Sequence, residues 1–309
     1  MNISVASSSL ISLPIIDAIQ KSKHTLASII TNPDKKSGRG LQLTPNELAA
    51  WAQTTEIPMA KPADNSELNR HLLAAQPQLI ITAAYGKLIP VELLHGPRFG
   101  WLNLHFSLLP KWRGAAPVQW ALLSGEEEAG ISIFKLDKGM DTGPIYLQES
   151  VTIRDGERTP ELLSRLSQLG GERIMDVIEL IATGVKPKAQ PATGFTLAPK
   201  ISKEMGQIDW KRSTIEILRK DQAIGDKPGI WSIFRGERIV LHELGLALPN
   251  STAAKPGALS VTPTGFKVQC GDGCLEIGSV TPAGKKRMSV SEFARGARLL
   301  ESESFDEHQ

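Results

Sequence analysis

A chain of 309 residues exceeds the usual single-domain size and predicts two domains. With 41% hydrophobic and 22% charged residues it has the composition of a soluble globular protein, and no apolar run approaches the ~20 residues of a membrane-spanning helix. The net charge of +2 is too small to mark a nucleic-acid partner, but residues 211–298 hold fourteen Lys/Arg against eight Asp/Glu, ahead of an acidic end (Glu301, Glu303, Asp306, Glu307). A basic body of this kind permits a polyanion, although counting alone fits a solvated mixed-charge surface equally well.

Along the first half, short apolar runs alternate with amphipathic stretches. Residues 3–6 predict a strand, 11–21 a helix and 26–30 the next strand. Thr44-Pro45-Asn46-Glu47 reads as a capping box with proline at the first helical position. A helix over about 66–75 leads to a buried strand at 79–83, followed by a strand at 101–105, a helix at 117–123 and a strand at 131–135. A long helix starts at Thr159-Pro160 and ends before Gly184, with Leu162, Leu166, Leu169, Ile174, Val177, Ile178 and Ile181 on its apolar face. Strands alternating with helices predict an α/β domain with a mostly parallel sheet covered on both faces.

From Val185 to about 207, Lys186-Pro187-Lys188, Pro191 and Ala198-Pro199-Lys200 interrupt regular structure and predict a surface linker. A helical stretch near 213–220 follows. Strand-like runs then recur at 230–235, 239–243, 257–261, 265–269 and 274–277, a spacing that predicts a small β-barrel. The domains expected are therefore 1–184, a linker 185–207, and 208–309.

The two cysteines, Cys270 and Cys274, flank a Gly-Asp-Gly turn with no histidine nearby, so no metal site is expected and the thiols read as reduced cytosolic cysteines. A strand begins within a few residues of Met1, which leaves no space for a targeting peptide and predicts a cytoplasmic location.

The most informative stretch is Asn103-Leu104-His105-Phe106-Ser107-Leu108-Leu109-Pro110. On a strand, Asn103 and His105 point to one side and Leu102 and Leu104 to the other. A lone histidine is more often structural. Two polar groups on an otherwise apolar strand need a shared reason, and open α/β sheets bind ligands at such strand ends. The loop Asp137-Lys138-Gly139-Met140-Asp141-Thr142-Gly143-Pro144 offers a carboxylate, although alone it is an ordinary turn. Together Asn103, His105 and Asp141 supply an oxyanion donor, a base near neutral pH and a carboxylate to orient or charge it. The chain has no Gly-x-Ser-x-Gly elbow, and its first strand ends in Ala6-Ser7-Ser8-Ser9 rather than a dinucleotide-binding glycine loop.

Asn103-Leu104-His105, Ser107-Leu108-Leu109-Pro110, Arg113-Gly114-Ala115-Ala116-Pro117 and Asp141-Thr142-Gly143 resemble the folate-dependent formyltransferases. The match runs on through Asn32-Pro33-Asp34, Gly38-Arg39-Gly40, Ala84-Tyr85-Gly86, Ala198-Pro199-Lys200-Ile201, Ile208-Asp209-Trp210 and Gly284-Lys285-Lys286-Arg287-Met288, which narrows it to the family acting on methionyl-tRNA. The resemblance implies a Rossmann-like formyltransferase domain followed by an OB-like tRNA-binding barrel. It implies 10-formyltetrahydrofolate as co-substrate, methionyl initiator tRNA as acceptor and a monomer. By matching position Asn103, His105 and Asp141 would be catalytic, and Ser107, Leu108, Leu109, Pro110, Tyr85 and Gly86 would line the folate pocket. The loop carrying Lys35, Lys36 and Arg39 would meet the acceptor end of the tRNA, and Lys285, Lys286 and Arg287 its backbone.

The sequence departs from the family at two places. Ala6-Ser7-Ser8-Ser9 replaces a Gly-Thr-Pro turn, and 221–231 keeps only Pro228-Gly229 and Trp231 of a Pro-Trp-rich run. Other readings are a formyltransferase acting on an amino-sugar nucleotide or other amine, a 10-formyltetrahydrofolate hydrolase, and a non-catalytic RNA-binding relative.

Overall fold

The computed structural model describes residues 1–37, 41–248, 254–262, 265–300 and 303–306. It divides into two compact units, one of residues 1–118, 127–153 and 161–199, the other of 119–126, 154–160 and 200 onward.

The first unit opens with β1 (Asn2–Ala6), a single 3-10 turn, α1 (Leu13–Gln20) and β2 (Thr25–Ile30). A hairpin of β3 (Lys35–Ser37) and β4 (Gln42–Thr44) precedes α2 (Glu47–Ala52), β5 (Met59–Ala60), α3 (Asn65–Ala75) and β6 (Leu79–Thr82). After α4 (Val91–Leu94) come β7 (Trp101–His105), β8 (Arg113–Gly114) and α5 (Pro117–Leu123), which clusters from residue 119 on with the second unit. The chain continues through β9 (Glu128–Lys135), β10 (Ile145–Thr152), α6 (Thr159–Ala182) and β11 (Leu197–Ala198).

The main sheet has the order β10-β9-β7-β6-β1-β2-β5. All neighbours from β5 to β7 are parallel, whereas β9 and β10 join antiparallel. The alternation of strands and helices therefore indicated the sheet correctly, but not β10. That edge strand is exposed or half-buried throughout, so its polar alternate positions carry no hydrophobic run. Residues 185–199, the first part of the expected linker, cluster with this unit: Lys188 bridges Ile145 and β11 pairs with β8.

Residue 44 does not start the helix that the sequence indicated there. Thr44 closes the β3–β4 hairpin opposite Lys35, and the N-cap of α2 is Asn46. The Asn46 carboxamide oxygen accepts from the Ala49 amide (3.0 Å) and from the Thr31 hydroxyl (3.1 Å), while its amide donates to the Asn32 carbonyl (3.2 Å). Bonds to the chain after β2 fix the helix start two residues later than local pattern implied.

The two faces of the sheet are packed differently. A Cβ on Gly170 of α6 would overlap the Leu104 side chain, and one on Gly171 would overlap Pro14 of α1, so α6 is seated closely on the Leu104 face. On the other face Ala6, Ile30, Ile80 and Trp101 pack with Leu68 and Leu72 of α3 and Leu94 of α4, and the Trp101 indole donates to the Leu93 carbonyl (2.8 Å). Residues 101, 103 and 105 share a face by strand periodicity, so Asn103 and His105 extend this second face.

In the second unit, α7 (Thr214–Ile224) carries a capping box from Ser213 and Glu216. The strands β12 (Ile230–Phe234), β13 (Glu237–Ala247), β14 (Leu259–Thr262), β15 (Gly265–Gln269), β16 (Cys274–Pro282) and β17 (Met288–Ser289) follow, then α8 (Val290–Ala297). They form an antiparallel sheet of order β12-β13-β16-β15-β14, with β17 on β16.

Three strand spacings, roughly 14 Å, separate β12 from β15 along a flat sheet. Yet Phe234 of β12 and Phe266 of β15 both lie 6.1 Å from Phe305, so the sheet curls around an aromatic core. Trp210 stacks on Phe305 at 5.2 Å, and Phe293 of α8 meets both strands' rings. The segment 303–306 closes the barrel. Its backbone bonds Gly257 and Leu259 beside and within β14, and Ile233 of β12. This end of the chain was expected as an acidic tail, but Phe305 is buried and Glu303 pairs with Arg235.

Candidate active site

The three residues singled out by the sequence converge. His105 is 5% exposed at the end of β7. Its Nε2 lies 2.9 Å from the Trp112 carbonyl, which accepts only, so Nε2 carries the proton in the neutral ring and Nδ1 is left bare. Nδ1 faces Asp141 Oδ2 at 3.8 Å. Burial pushes the His105 pKa below the ordinary histidine value, opposed by the Asp141 carboxylate and the Trp112 hydrogen bond. Burial favours the neutral ring, and the Asp141 carboxylate facing Nδ1 favours its protonated form.

Asn103 is half-buried on the same face. Its Oδ1 accepts from the Thr82 hydroxyl of β6 (2.8 Å), which also lies 3.0 Å from the Leu102 carbonyl. The Asn103 amide hydrogens have no partner among the described residues and remain available to an oxygen of a bound ligand.

Asp141 reaches the site against the direction of its strand. β9 runs antiparallel to β7, and Lys135 at its end pairs with Leu102 near the start of β7, whereas His105 pairs with Ser132. The loop that follows must turn back across the sheet. A Cβ on Gly143 would collide with the Lys135 carbonyl, so this return is closely packed. The Asp137 carboxylate accepts from the Gly139 amide (2.9 Å) and the Thr142 hydroxyl (2.7 Å). Asp141 has φ of 54°, left-handed for a non-glycine residue, and its Oδ2 accepts from the Gly114 amide (2.8 Å).

The expected folate contacts lie in two places. Ser107 and Leu109 are buried and Leu108 and Pro110 half-buried in the turn after β7. Ser107 donates to the Lys111 carbonyl (2.6 Å), the Leu109 amide donates to Ser132 (3.0 Å), and Gln148 donates to the Leu109 carbonyl (2.8 Å). Tyr85 lines a cavity of about 200 Å³ with Pro62, Asp64, Leu68 and Lys87, and its buried hydroxyl has no partner among the described residues. Burial pushes that hydroxyl up to about 12. Gly86, next in sequence, is exposed with φ of 71°. The Ser7–Ser9 turn, a departure from the family pattern, is held by Ser7 donating to the Ser9 carbonyl (3.2 Å) and Ser8 to the Ala84 carbonyl (3.0 Å).

Of the expected tRNA contacts, Lys35 and Lys36 are exposed on β3, whereas Arg39 lies outside the described residues. Lys285, Lys286 and Arg287 are exposed in the turn between β16 and β17. Arg287 is already engaged, 2.8 Å from Glu243 and donating to Ser279 (2.8 Å). Among the described residues no three His, Cys, Asp or Glu side chains gather where they would hold a metal.

Sequence reasoning missed Thr82, Trp112 and Gln190 as neighbours of these groups. Only the β6–β7 register sets Thr82 beside Asn103. Gln190 lies 49 residues beyond Asp141, yet its Nε2 bonds the Asp141 carbonyl.

Comparison with known proteins places the chain in a family. Residues 1–178 match the family model described as formyl transferase, and residues 200–298 the formyl transferase C-terminal domain. Methionyl-tRNA formyltransferase of Salinispora tropica is 36% identical over 98% of this chain and 99% of that relative. The enzyme of the same name from Streptomyces coelicolor is 37% identical over 95% of this chain and 96% of its own. Among solved structures, HypX from Aquifex aeolicus in complex with tetrahydrofolic acid aligns with TM-score 0.67 and 18% identity, covering 95% of this chain and 47% of that one. Methionyl-tRNA formyltransferase from Clostridium thermocellum aligns with TM-score 0.56 and 18% identity, covering 80% and 94%. These structural likenesses speak to the fold, whereas identity over nearly the full length decides kinship: the chain belongs to the methionyl-tRNA formyltransferase family.

Proposed function

We infer that this protein transfers the formyl group of 10-formyltetrahydrofolate to the free amine of methionyl initiator tRNA, producing N-formylmethionyl-tRNA for translation initiation. The observation that carries the chemical reading is the convergence of the Asn103 amide, the bare Nδ1 of His105 and the Asp141 carboxylate on one face of the sheet.

Formyl transfer between amines forms a carbon–nitrogen bond to the acceptor and breaks the one to the donor. The acceptor loses a proton, the departing nitrogen gains one, and negative charge develops on the formyl oxygen. The Asn103 amide donates to that oxygen. His105 Nδ1 takes the acceptor's proton, and Asp141 stabilises the resulting imidazolium and relays the proton through water to the departing nitrogen. The donor and acceptor atoms that this chemistry requires, the Asn103 amide hydrogens and His105 Nδ1, have no hydrogen-bond partner among the described residues.

The 107–110 turn and Tyr85-Gly86 would contact the folate. The β3–β4 hairpin would meet the acceptor end of the tRNA, and Lys285 and Lys286 its backbone through charge. The protein would act as a monomer in the cytoplasm. The test is formyl transfer to methionyl initiator tRNA, beside methionyl elongator tRNA and a control without acceptor. Formylation of the initiator alone supports the reading; release of formate without tRNA would replace it with a hydrolase.

A further inference from the structure

Asp141 occupies a position that its own strand does not provide. The loop after β9 leaves the sheet near the start of β7 and must return to reach His105, with Asp141 in a left-handed backbone conformation. Such a conformation persists where surrounding groups over-determine it. The Asp137 bonds stay within the loop and stiffen it without saying where it lies.

Gln190 supplies the missing anchor. Its Nε2 donates to the Asp141 carbonyl and to the Gly143 carbonyl, each at 2.8 Å. Its Oε1 accepts from Arg113 Nε (3.2 Å) and Nη2 (2.6 Å). Carbonyls only accept and a guanidinium only donates, so the amide orientation is unambiguous and both ends are used. Arg113 is itself held, because it lies in β8, which pairs with β11, and its guanidinium sits 5.6 Å over the Phe195 ring. The neighbouring Gly114 amide donates to the Asp141 carboxylate, so β8 holds Asp141 directly and again through Gln190.

We propose that Gln190 is a positioning residue for catalysis, holding the Asp141 carboxylate at His105 by fixing the carbonyls of residues 141 and 143. This role rests on the formyl-transfer reading. Gln190 touches neither reacting group; it acts through Asp141. Around His105, the neutral Trp112 carbonyl approaches from the turn after β7 and the Phe134 ring from β9, at 6.4 Å. Among the described residues the charged group facing the ring is Asp141, so a change in its placement is read by the histidine's titration.

The experiment compares wild type with Gln190→Ala and Gln190→Glu. His105 is followed by proton NMR titration, its resonance identified by its absence in His105→Asn, and steady-state formylation is measured alongside. Glu keeps the volume and adds a charge for Arg113, so it preserves the packing if Ala does not, yet it has no hydrogen for either carbonyl. Both variants are expected to lower kcat about 10²-fold with KM for folate and tRNA within about two-fold. In Gln190→Ala, which adds no charge, the His105 pKa should fall below the wild-type value, because the carboxylate that raises it is no longer held. A His105 titration identical to wild type, or an unchanged kcat, overturns the proposal. If wild type itself formylates nothing, the functional reading fails, and the titration still decides whether Gln190 positions Asp141.

Discussion

The Thr82 hydroxyl lies 2.8 Å from Asn103 Oδ1 and 3.0 Å from the Leu102 carbonyl, so a strand neighbour that the sequence left unremarked anchors one end of the amide and leaves the other toward the ligand. Removing the amide in Asn103→Ala is expected to cost about 10²-fold or more in kcat. Removing only its orienting hydroxyl in Thr82→Val should cost about 10-fold in kcat with little change in either KM, because the rotated amide offers an acceptor for part of the time. Thr82→Ser should restore the rate. Wild-type kcat in Thr82→Val would show that the amide needs no such partner.

Asp141→Asn keeps the shape of the side chain and removes its charge. Burial lowers the His105 pKa and the carboxylate raises it, so without the charge that pKa falls further. The acid limb of kcat/KM against pH, where neutral His105 is required, is therefore expected to move to lower pH. The plateau should drop about 10²-fold, since the imidazolium loses its counter-charge. Full activity with an unmoved acid limb would remove Asp141 from the mechanism.

Four histidines, His24, His71, His105 and His242, have pKa values lowered principally by burial. Below the ordinary histidine value of about 6.5 the unfolded chain binds more protons at these sites than the folded chain does. Their contribution is thus greatest above that pH and is lost progressively below it, toward the depressed folded values. The urea midpoint is expected to fall between pH 7.5 and 5.5, and less steeply in His105→Asn, a comparison that isolates one of the four.

Asp221 is buried, and its carboxylate is met by Arg158 at 2.8 Å, with Asp226 on the same guanidinium at 2.9 Å. The side-chain bond to Asp221 is the main reason that the Arg158 pKa is raised. Arg158→Met leaves a buried carboxylate without its partner and should destabilise by about 2–3 kcal/mol, below the full-burial value because Arg158 keeps contact with water. Asp226→Asn, on the exposed side of the guanidinium, should cost well under 1 kcal/mol, about the worth of a surface pair. Chemical denaturation of the two variants tests the ordering.

Binding of tRNA should weaken steeply with salt while folate binding barely responds. Lys285→Ala and Lys286→Ala should each reduce the slope of log affinity against log salt by about one. Arg287→Ala should reduce it by less, because Glu243 and Ser279 already hold its guanidinium. An equal loss for all three would mean that the Glu243 pair opens on binding.

Strand and helix periodicity, and the adjacency of Asn103 and His105, were legible in the sequence because both follow from local rules. Side chains two apart on a strand share a face, and buried parallel strands read as apolar runs. The parallel sheet and the polar pair on β7 were therefore visible without coordinates, and the barrel was foreshadowed by its short strands. Edge strand β10 was not, because half-exposed positions leave no apolar signature. Nor was the start of α2, where bonds from Asn46 to Thr31 and Asn32 override the local capping pattern. The acidic end became the closing segment of the barrel because Phe305 fills the aromatic core. Only tertiary structure could decide how Asp141 meets His105. β9 runs antiparallel to β7, so the loop carrying Asp141 leaves at the wrong end, and Gly114 and Gln190, neither of them near in sequence, bring it back. Spacing along a chain records which residues share an element, but the meeting of side chains from distant segments depends on strand direction and on hydrogen bonds that close only when the fold is complete.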